Sequence, residues 1–202
     1  MKKPDGYDEA RVSGEFIQPD LGGHYCKIIQ VSEAKTSSGK DQIVVLFDFC
    51  KPDKQEGMFS KMYANDDRPK NEKKWPFTGS MYITVNDYND PRKTSSKFKT
   101  FCTCVEKSNN YEIRWIEGPE WAKQFKDKKI GAVYGEVENE YNGRVFMRNN
   151  PRWFCTWDSV KDQNTPKPKY LAEIPDPARA QAPTGDDGFM NIPEGVEEEI
   201  PF

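Results

Sequence analysis

With 202 residues, 35% of them hydrophobic and 31% charged, the chain is long enough for one well-cored domain plus a segment that stays outside it. Its formal charge of -3 divides unevenly: residues 164–202 hold three basic against eight acidic groups, a net of -5, which leaves 27 basic against 25 acidic, +2, upstream. A slightly basic body with an acidic tail admits a nucleic-acid partner that the whole-chain acidity argues against.

In chain order, residues 1–22 hold Pro4, Gly6, Gly14, Pro19 and Gly22 and read as an arm that packs through Phe16, Ile17 and Leu21. A first strand is predicted over 24–31, with Tyr25, Lys27, Ile29 and Val31 on one face and Cys26 and Ile28 on the other. Residues 36–40 supply turn chemistry, and 43–49, the most apolar run, reads as a central strand. Alternation predicts a third strand over 58–63, setting Met58 and Met62 against Phe59, Lys61 and Tyr63. Residues 64–92 then form a long polar insertion that carries Lys73, Lys74 and Trp75, with a short extra strand over 81–85.

From Ser95 the period changes. Phe98, Phe101, Cys102 and Val105 fall at helical spacing, with Ser95 or Ser96 as N-cap. A further helical turn is expected over 119–125. Residues 129–140 read as a strand, and Asn142-Gly143 is a hairpin turn. The returning strand sets Arg144, Phe146 and Arg148 on one face and Val145 and Met147 on the other, with Pro151 interrupting it before 152–157. After Asn164 seven of the fifteen prolines fall in the last 39 residues. That composition predicts a disordered tail.

Three strands, a helix and a two-stranded hairpin give the element order of an OB-fold, so the expected class is mainly β: an OB-fold-like five-stranded Greek-key barrel with one or two helices. Another small antiparallel barrel or sandwich fits the same pattern. The expected organisation is an arm over 1–22, a nucleic-acid-binding domain over 23–163 with the insertion 64–92, and an acidic tail over 164–202.

Single strands are held by cations that track phosphates and by aromatic faces on which bases stack. Phe59, Lys61 and Tyr63, and Arg144, Phe146 and Arg148, give that interleaving twice. Lys73 and Lys74 beside Trp75 form a third candidate clamp, and Lys27 and Arg152 add cations. Trp153 and Trp157 are expected in the core. Enzyme chemistry is weakly signalled: Asp20 with Glu33 and Lys35 has the form of a Mg²⁺-dependent nuclease motif, on short and common residues. His24 is the only histidine and reads as structural; no cofactor or metal set is visible among the five cysteines, which include no C-x-x-C pair. Their odd number argues against a disulfide framework. No apolar run of signal or membrane-spanning length opens the chain, which predicts a soluble protein of a reducing cytoplasm.

The chain closes on Glu197-Glu198-Glu199-Ile200-Pro201-Phe202. This acidic run with apolar anchors resembles the tails of bacterial single-stranded DNA-binding proteins, which end in the same Ile-Pro-Phe and recruit repair and replication enzymes. Leu21-Gly22-Gly23-His24-Tyr25, Val45-Leu46-Phe47-Asp48 and Tyr141-Asn142-Gly143 extend the resemblance to the single-stranded DNA-binding proteins of phage and prophage replication or recombination modules. The resemblance implies a non-enzymatic protein of the host cytoplasm that coats single-stranded DNA and recruits replication or recombination proteins through residues 197–202. No membrane partner is expected, and self-association is left open. The competing expectation is an interaction protein that uses the same tip to occupy a host factor's docking pocket without binding DNA.

Overall fold

The computed structural model describes Lys3, residues 17–173 and the backbone of Phe189–Met190. Strands β1 (Gly22–Lys35) and β2 (Asp41–Phe49) form an antiparallel hairpin across a turn in which Thr36 Oγ1 accepts the Lys40 N–H at 3.0 Å. The register slips between Ile28 and Gln30, which leaves Ile29 as an extra residue. That bulge reverses the alternation, so Val31 is buried with Cys26 and Ile28 instead of facing outward beside Lys27 as an unbroken pattern predicts. β2 is buried on both faces from Ile43 to Phe49.

The expected third strand is a helix, α1 (Met58–Ala64). Gly57 precedes it in the left-handed region at φ 70° and has no side chain to cap with. Buried Asp48 of β2 does this from the neighbouring strand: its carboxylate accepts the Phe59 N–H at 2.9 Å and the Ser60 N–H at 3.0 Å, besides Phe49 N–H at 2.8 Å. Satisfying the first free N–H groups this way makes the helical period the favoured one. Met58, Phe59 and Tyr63 then turn into the core, with Met62 packed against it.

A short 3₁₀ turn at Lys70–Glu72 and the two-residue β3 (Trp75–Pro76) lead to β4 (Ser80–Thr84), which pairs antiparallel with β2. The sheet therefore takes its third strand from within 64–92. Helix α2 (Ser96–Asn109) starts where its cap predicts, with Ser95 Oγ accepting the Phe98 N–H at 3.1 Å, and ends on Asn110 at φ 46°. Cys104 is buried on it along with Cys102, where the apolar stripe alone places only Cys102 inward. The single-turn helix α3 (Glu120–Lys123) precedes β5 (Lys129–Tyr141) and β6 (Arg144–Cys155), and β7 (Phe189–Met190) pairs its backbone with β3.

The result is mainly β: a five-stranded antiparallel sheet in the order β4-β2-β1-β5-β6, with a few helices. β1 is shared, since residues 22–27 pair with β5 and 26–35 with β2. Between sheet and α2 the rings interlock edge to face or tilted: Phe101 lies 5.2 Å from Phe125 and 5.5 Å from Phe154, which lies 5.4 Å from Phe47. All five thiols are free, and burial pushes those of Cys50, Cys104 and Cys155 up to about 11.

The described segments that flank the sheet, residues 17–21 and 164–169, depart from what their composition predicts. Residues 1–2 and 4–16, Phe16 among them, lie outside the described residues; Ile17 and Leu21 are exposed, and Gln18 and Pro19 are held by polar contacts instead: Asn149 donates to Gln18 Oε1 and to the Pro19 carbonyl, and Gln55 to the Gln18 carbonyl. The segment expected to open the tail runs along the free edge of β5, where Glu138 N donates to Lys169 O and Lys169 N to Glu136 O. Residues 174–188 and 191–202, including the tip Glu197 to Phe202, lie outside the described residues. Among the described residues no helix is long and apolar enough to cross a membrane.

Candidate nucleic-acid interface

β5 and β6 pair as one long antiparallel ladder down to Tyr141↔Arg144, joined by Asn142 at φ 50° and Gly143 at φ 73°. Two consecutive left-handed residues make the type I′ geometry whose twist matches the flanking strands, and Asn-Gly is the pair that adopts it with least strain. The ladder sorts side chains by register, because directly paired residues share a face. Val137↔Arg148, Asn139↔Phe146 and Tyr141↔Arg144 stand on one side; Glu136↔Asn149, Glu138↔Met147 and Glu140↔Val145 stand on the other. The hairpin thus separates an arginine-aromatic face from a face carrying three glutamates.

On the first face the Arg148 guanidinium lies 5.3 Å from the Phe146 ring centroid, a cation–π distance. Burial lowers the Arg148 pKa from the usual arginine value. Phe146 and Tyr141 remain 36% and 39% exposed, so both rings are open to a stacking base. Arg144, Phe146 and Arg148 therefore do form the single basic-aromatic face that their alternation predicts.

The other predicted ligands are placed differently. With residues 58–63 helical, Phe59, Lys61 and Tyr63 do not share a face. Phe59 is fully buried, Tyr63 nearly so, and exposed Lys61 donates to the Glu56 carbonyl at 3.0 Å. Trp75 is 1% exposed, with its indole N–H donating to the Gly79 carbonyl at 2.9 Å and its ring 5.8 Å from Tyr63. It is a core residue, not a clamp. Gly79 is required there, since a Cβ would stand 2.7 Å from both the Phe59 ring and the Trp75 nitrogen. Lys73 donates to the Ala64 carbonyl at 3.2 Å, and Lys74 beside it is half-buried.

Arg152 is the extra residue of a second bulge, between Val133↔Trp153 and Tyr134↔Pro151. β6 is an edge strand, which is where a proline and a bulge are tolerated, so Pro151 stays within the strand. The Arg152 Nη1 donates to the carbonyls of Glu136 and Lys167 at 3.3 and 3.2 Å. Its head group therefore fastens the segment after the sheet onto β5.

Trp153 and Trp157 are not the paired core residues their spacing predicts. Trp153 is 40% exposed, and Trp157 has left the strand for a 3₁₀ turn at Trp157–Asp162. The Trp157 ring packs 4.8 Å from Tyr25, with Lys129 Nζ 5.1 Å above it. Lys27, directly paired with Lys129 across β1 and β5, is exposed and lies 3.3 Å from Asp127. Lys27, Tyr25, Lys129 and Trp157 thus form a second basic-aromatic patch on the outer side of β1 and β5. Only Lys27 of this group is predicted from the sequence. The signal for the rest is the Trp-Asp-Ser segment after β6, whose turn chemistry takes Trp157 out of the strand period. The 3₁₀ turn can lie across this side because Gly23 and Gly131 leave room: a Cβ on either would strike Val160.

The nuclease-like residues are not brought together. Asp20 precedes β1, whereas Glu33 lies near the far end of that strand and Lys35 is ion-paired with Asp41. Among the described residues no cluster of three or more His, Cys, Asp or Glu could hold a metal ion. His24 is structural: its Nδ1 lies 3.0 Å from Asp53 Oδ2 and its Nε2 2.9 Å from the Asp20 carbonyl, with its ring stacked 4.3 Å from Phe49. No family model matches the chain, and a search of curated proteins finds no relative.

Proposed function

We propose that this chain is a single-stranded DNA-binding protein built on an OB-type Greek-key barrel, without catalytic activity of its own. Two features support the barrel reading: the sheet order of third, second, first, fourth and fifth long strands, and the helix α2 between the third and fourth. The observation that carries the function is the segregation on the β5–β6 hairpin, where Tyr141, Arg144, Phe146 and Arg148 share one face and the glutamates the other. Stacking rings interleaved with arginines suit bases and phosphates of an unpaired strand, and are sequence-tolerant because every base has a π-face. In this reading the protein coats single-stranded DNA during replication or recombination in the cytoplasm, and Glu197 to Phe202 recruit the proteins that act on it.

The test is fluorescence anisotropy with oligodeoxythymidylates of increasing length, over a salt series, for the full chain and for one truncated after Val196. Affinity for single strands should exceed that for duplex, with log K falling against log salt by about 0.7 per phosphate contacted. The truncated chain should still bind DNA and should fail to retain partner proteins. Salt-independent binding, or equal affinity for duplex, contradicts the proposal. Absence of DNA binding together with tip-dependent capture of a host factor supports the interaction-only reading instead.

A further inference from the structure

A cavity of about 610 Å³ opens beside α2, away from the hairpin. The strand register sets the two apart. β1 runs from its pairing with Tyr134 at Gly22 toward Lys35, and the cavity lies at that far end, whereas β5 runs from Tyr134 the opposite way to the hairpin tip. One wall of the cavity is a run of aromatic rings: Trp121 lies 5.9 Å from Phe98, and Trp115 lies 6.0 Å from Trp121, both near parallel. Trp115 is 69% exposed and neighbouring Ile116 48%, so the wall ends in a large apolar edge in contact with water. Trp121 is itself buried, and its indole N–H has no acceptor among the described residues.

The polar lining has one dominant sign. Glu33, Asp41 and Glu106 face Lys99 alone. The Asp41 carboxylate is matched by Lys35 and Glu106 Oε1 accepts the Ile113 N–H, which leaves exposed Glu33 without a charged partner among the described residues. Excess carboxylate repels a phosphate backbone and attracts a cation, and aromatic faces in the same cavity favour an arginine or lysine through their quadrupole. Exposed tryptophan beside a concave pocket is the composition of a protein-binding hot spot.

We infer that this cavity is a docking site for a partner protein, taking a peptide segment in which an apolar or aromatic side chain is followed by arginine or lysine. The apolar side chain enters against Phe98 and Trp121, the cation meets Glu33 and Glu106 under the edge of Trp115, and a backbone carbonyl accepts the Trp121 N–H. The site is separate from the hairpin face, and its existence does not depend on the DNA-binding reading.

The experiment follows the tryptophan indole ¹⁵N–H resonances of the full chain during titration with the blocked tetrapeptide acetyl-Leu-Phe-Arg-Lys-amide and with its counterpart acetyl-Leu-Phe-Glu-Glu-amide. Saturable shifts at Trp115 and Trp121 are expected with the basic peptide, at an affinity about tenfold or more above that of the acidic one. Glu33→Gln combined with Glu106→Gln should remove the preference. Trp115→Ala, at a solvent-facing position, should weaken binding of the basic peptide with the fold intact by its amide spectrum. Equal response to both peptides, no response to either, or larger shifts of these two resonances with an oligodeoxythymidylate overturns the inference.

Discussion

Asp53 ties together two stretches of chain that are distant in sequence, residues 20–25 and 53–55. Its Oδ2 accepts the Tyr25 N–H at 3.1 Å and faces His24 Nδ1 at 3.0 Å, its Oδ1 accepts the Gln55 N–H at 2.9 Å, and His24 in turn reaches the Asp20 carbonyl. Burial works against ionisation of Asp53, but the hydrogen bonds from His24, Gln55 and Tyr25 outweigh it and hold the carboxyl below the usual carboxylate range. A depressed folded pKa stabilises the fold above the unfolded value, and that stability drains as pH falls from about 4 through the folded value. Urea midpoints measured from pH 7 downward should therefore fall more steeply in the native protein than in Asp53→Asn, which has lost the titrating group; parallel curves would refute the linkage. Phe59 and Trp75 make the opposite test at this scale. Phe59→Ala should destabilise by about 3–5 kcal/mol, and Trp75→Ala should do the same, while whatever remains folded binds single-stranded DNA with unchanged affinity. A selective loss of affinity in a fully stable variant would return either residue to the interface.

At the scale of elements, local signals were readable where the chain itself supplies them. Ser95 caps α2 from within its own first turn, and Asn142-Gly143 sets the hairpin by its own backbone. α1 was not legible, because the group that makes it a helix, Asp48, lies on the preceding strand β2, 11 residues back from Phe59. Six residues that alternate also fit two helical turns, and only the distant cap decides. Asp48→Ala would strand the N–H groups of Phe59 and Ser60 in a buried setting, so it should lower unfolding free energy by at least about 2 kcal/mol and raise the amide exchange of α1 before that of the sheet. Exchange lost uniformly across the protein would contradict a local cap. The bulges at Ile29 and Arg152 were equally hidden: each inserts one residue, which redirects Val31 inward in the first case and Arg152 toward the Lys167 carbonyl in the second. Period-2 patterning assumes an unbroken ladder, so it fails beyond every bulge.

For the whole molecule, charge is arranged by face, by end and along the chain at once. The hairpin carries arginines on one side and glutamates on the other, the far cavity is acidic, and the acidic excess of the sequence lies after Asn164. The candidate interface was half legible. Arg144, Phe146 and Arg148 follow from alternation in an unbroken part of the ladder, whereas Trp157 and Lys129 meet only because a 3₁₀ turn folds back over Gly23 and Gly131. The hairpin face is the surface proposed to hold single-stranded DNA. Its sharpest measurement is single-stranded DNA affinity, over a salt series, for the native chain, for Arg144→Glu with Phe146→Ala, and for Lys61→Glu as a charge reversal on α1. Losing one stacking ring should weaken binding by about 1–3 kcal/mol, and losing the arginine should flatten the slope by about 0.7, with Lys61→Glu close to native. Native affinity and slope in the hairpin variant, or an equal loss in Lys61→Glu, would contradict it.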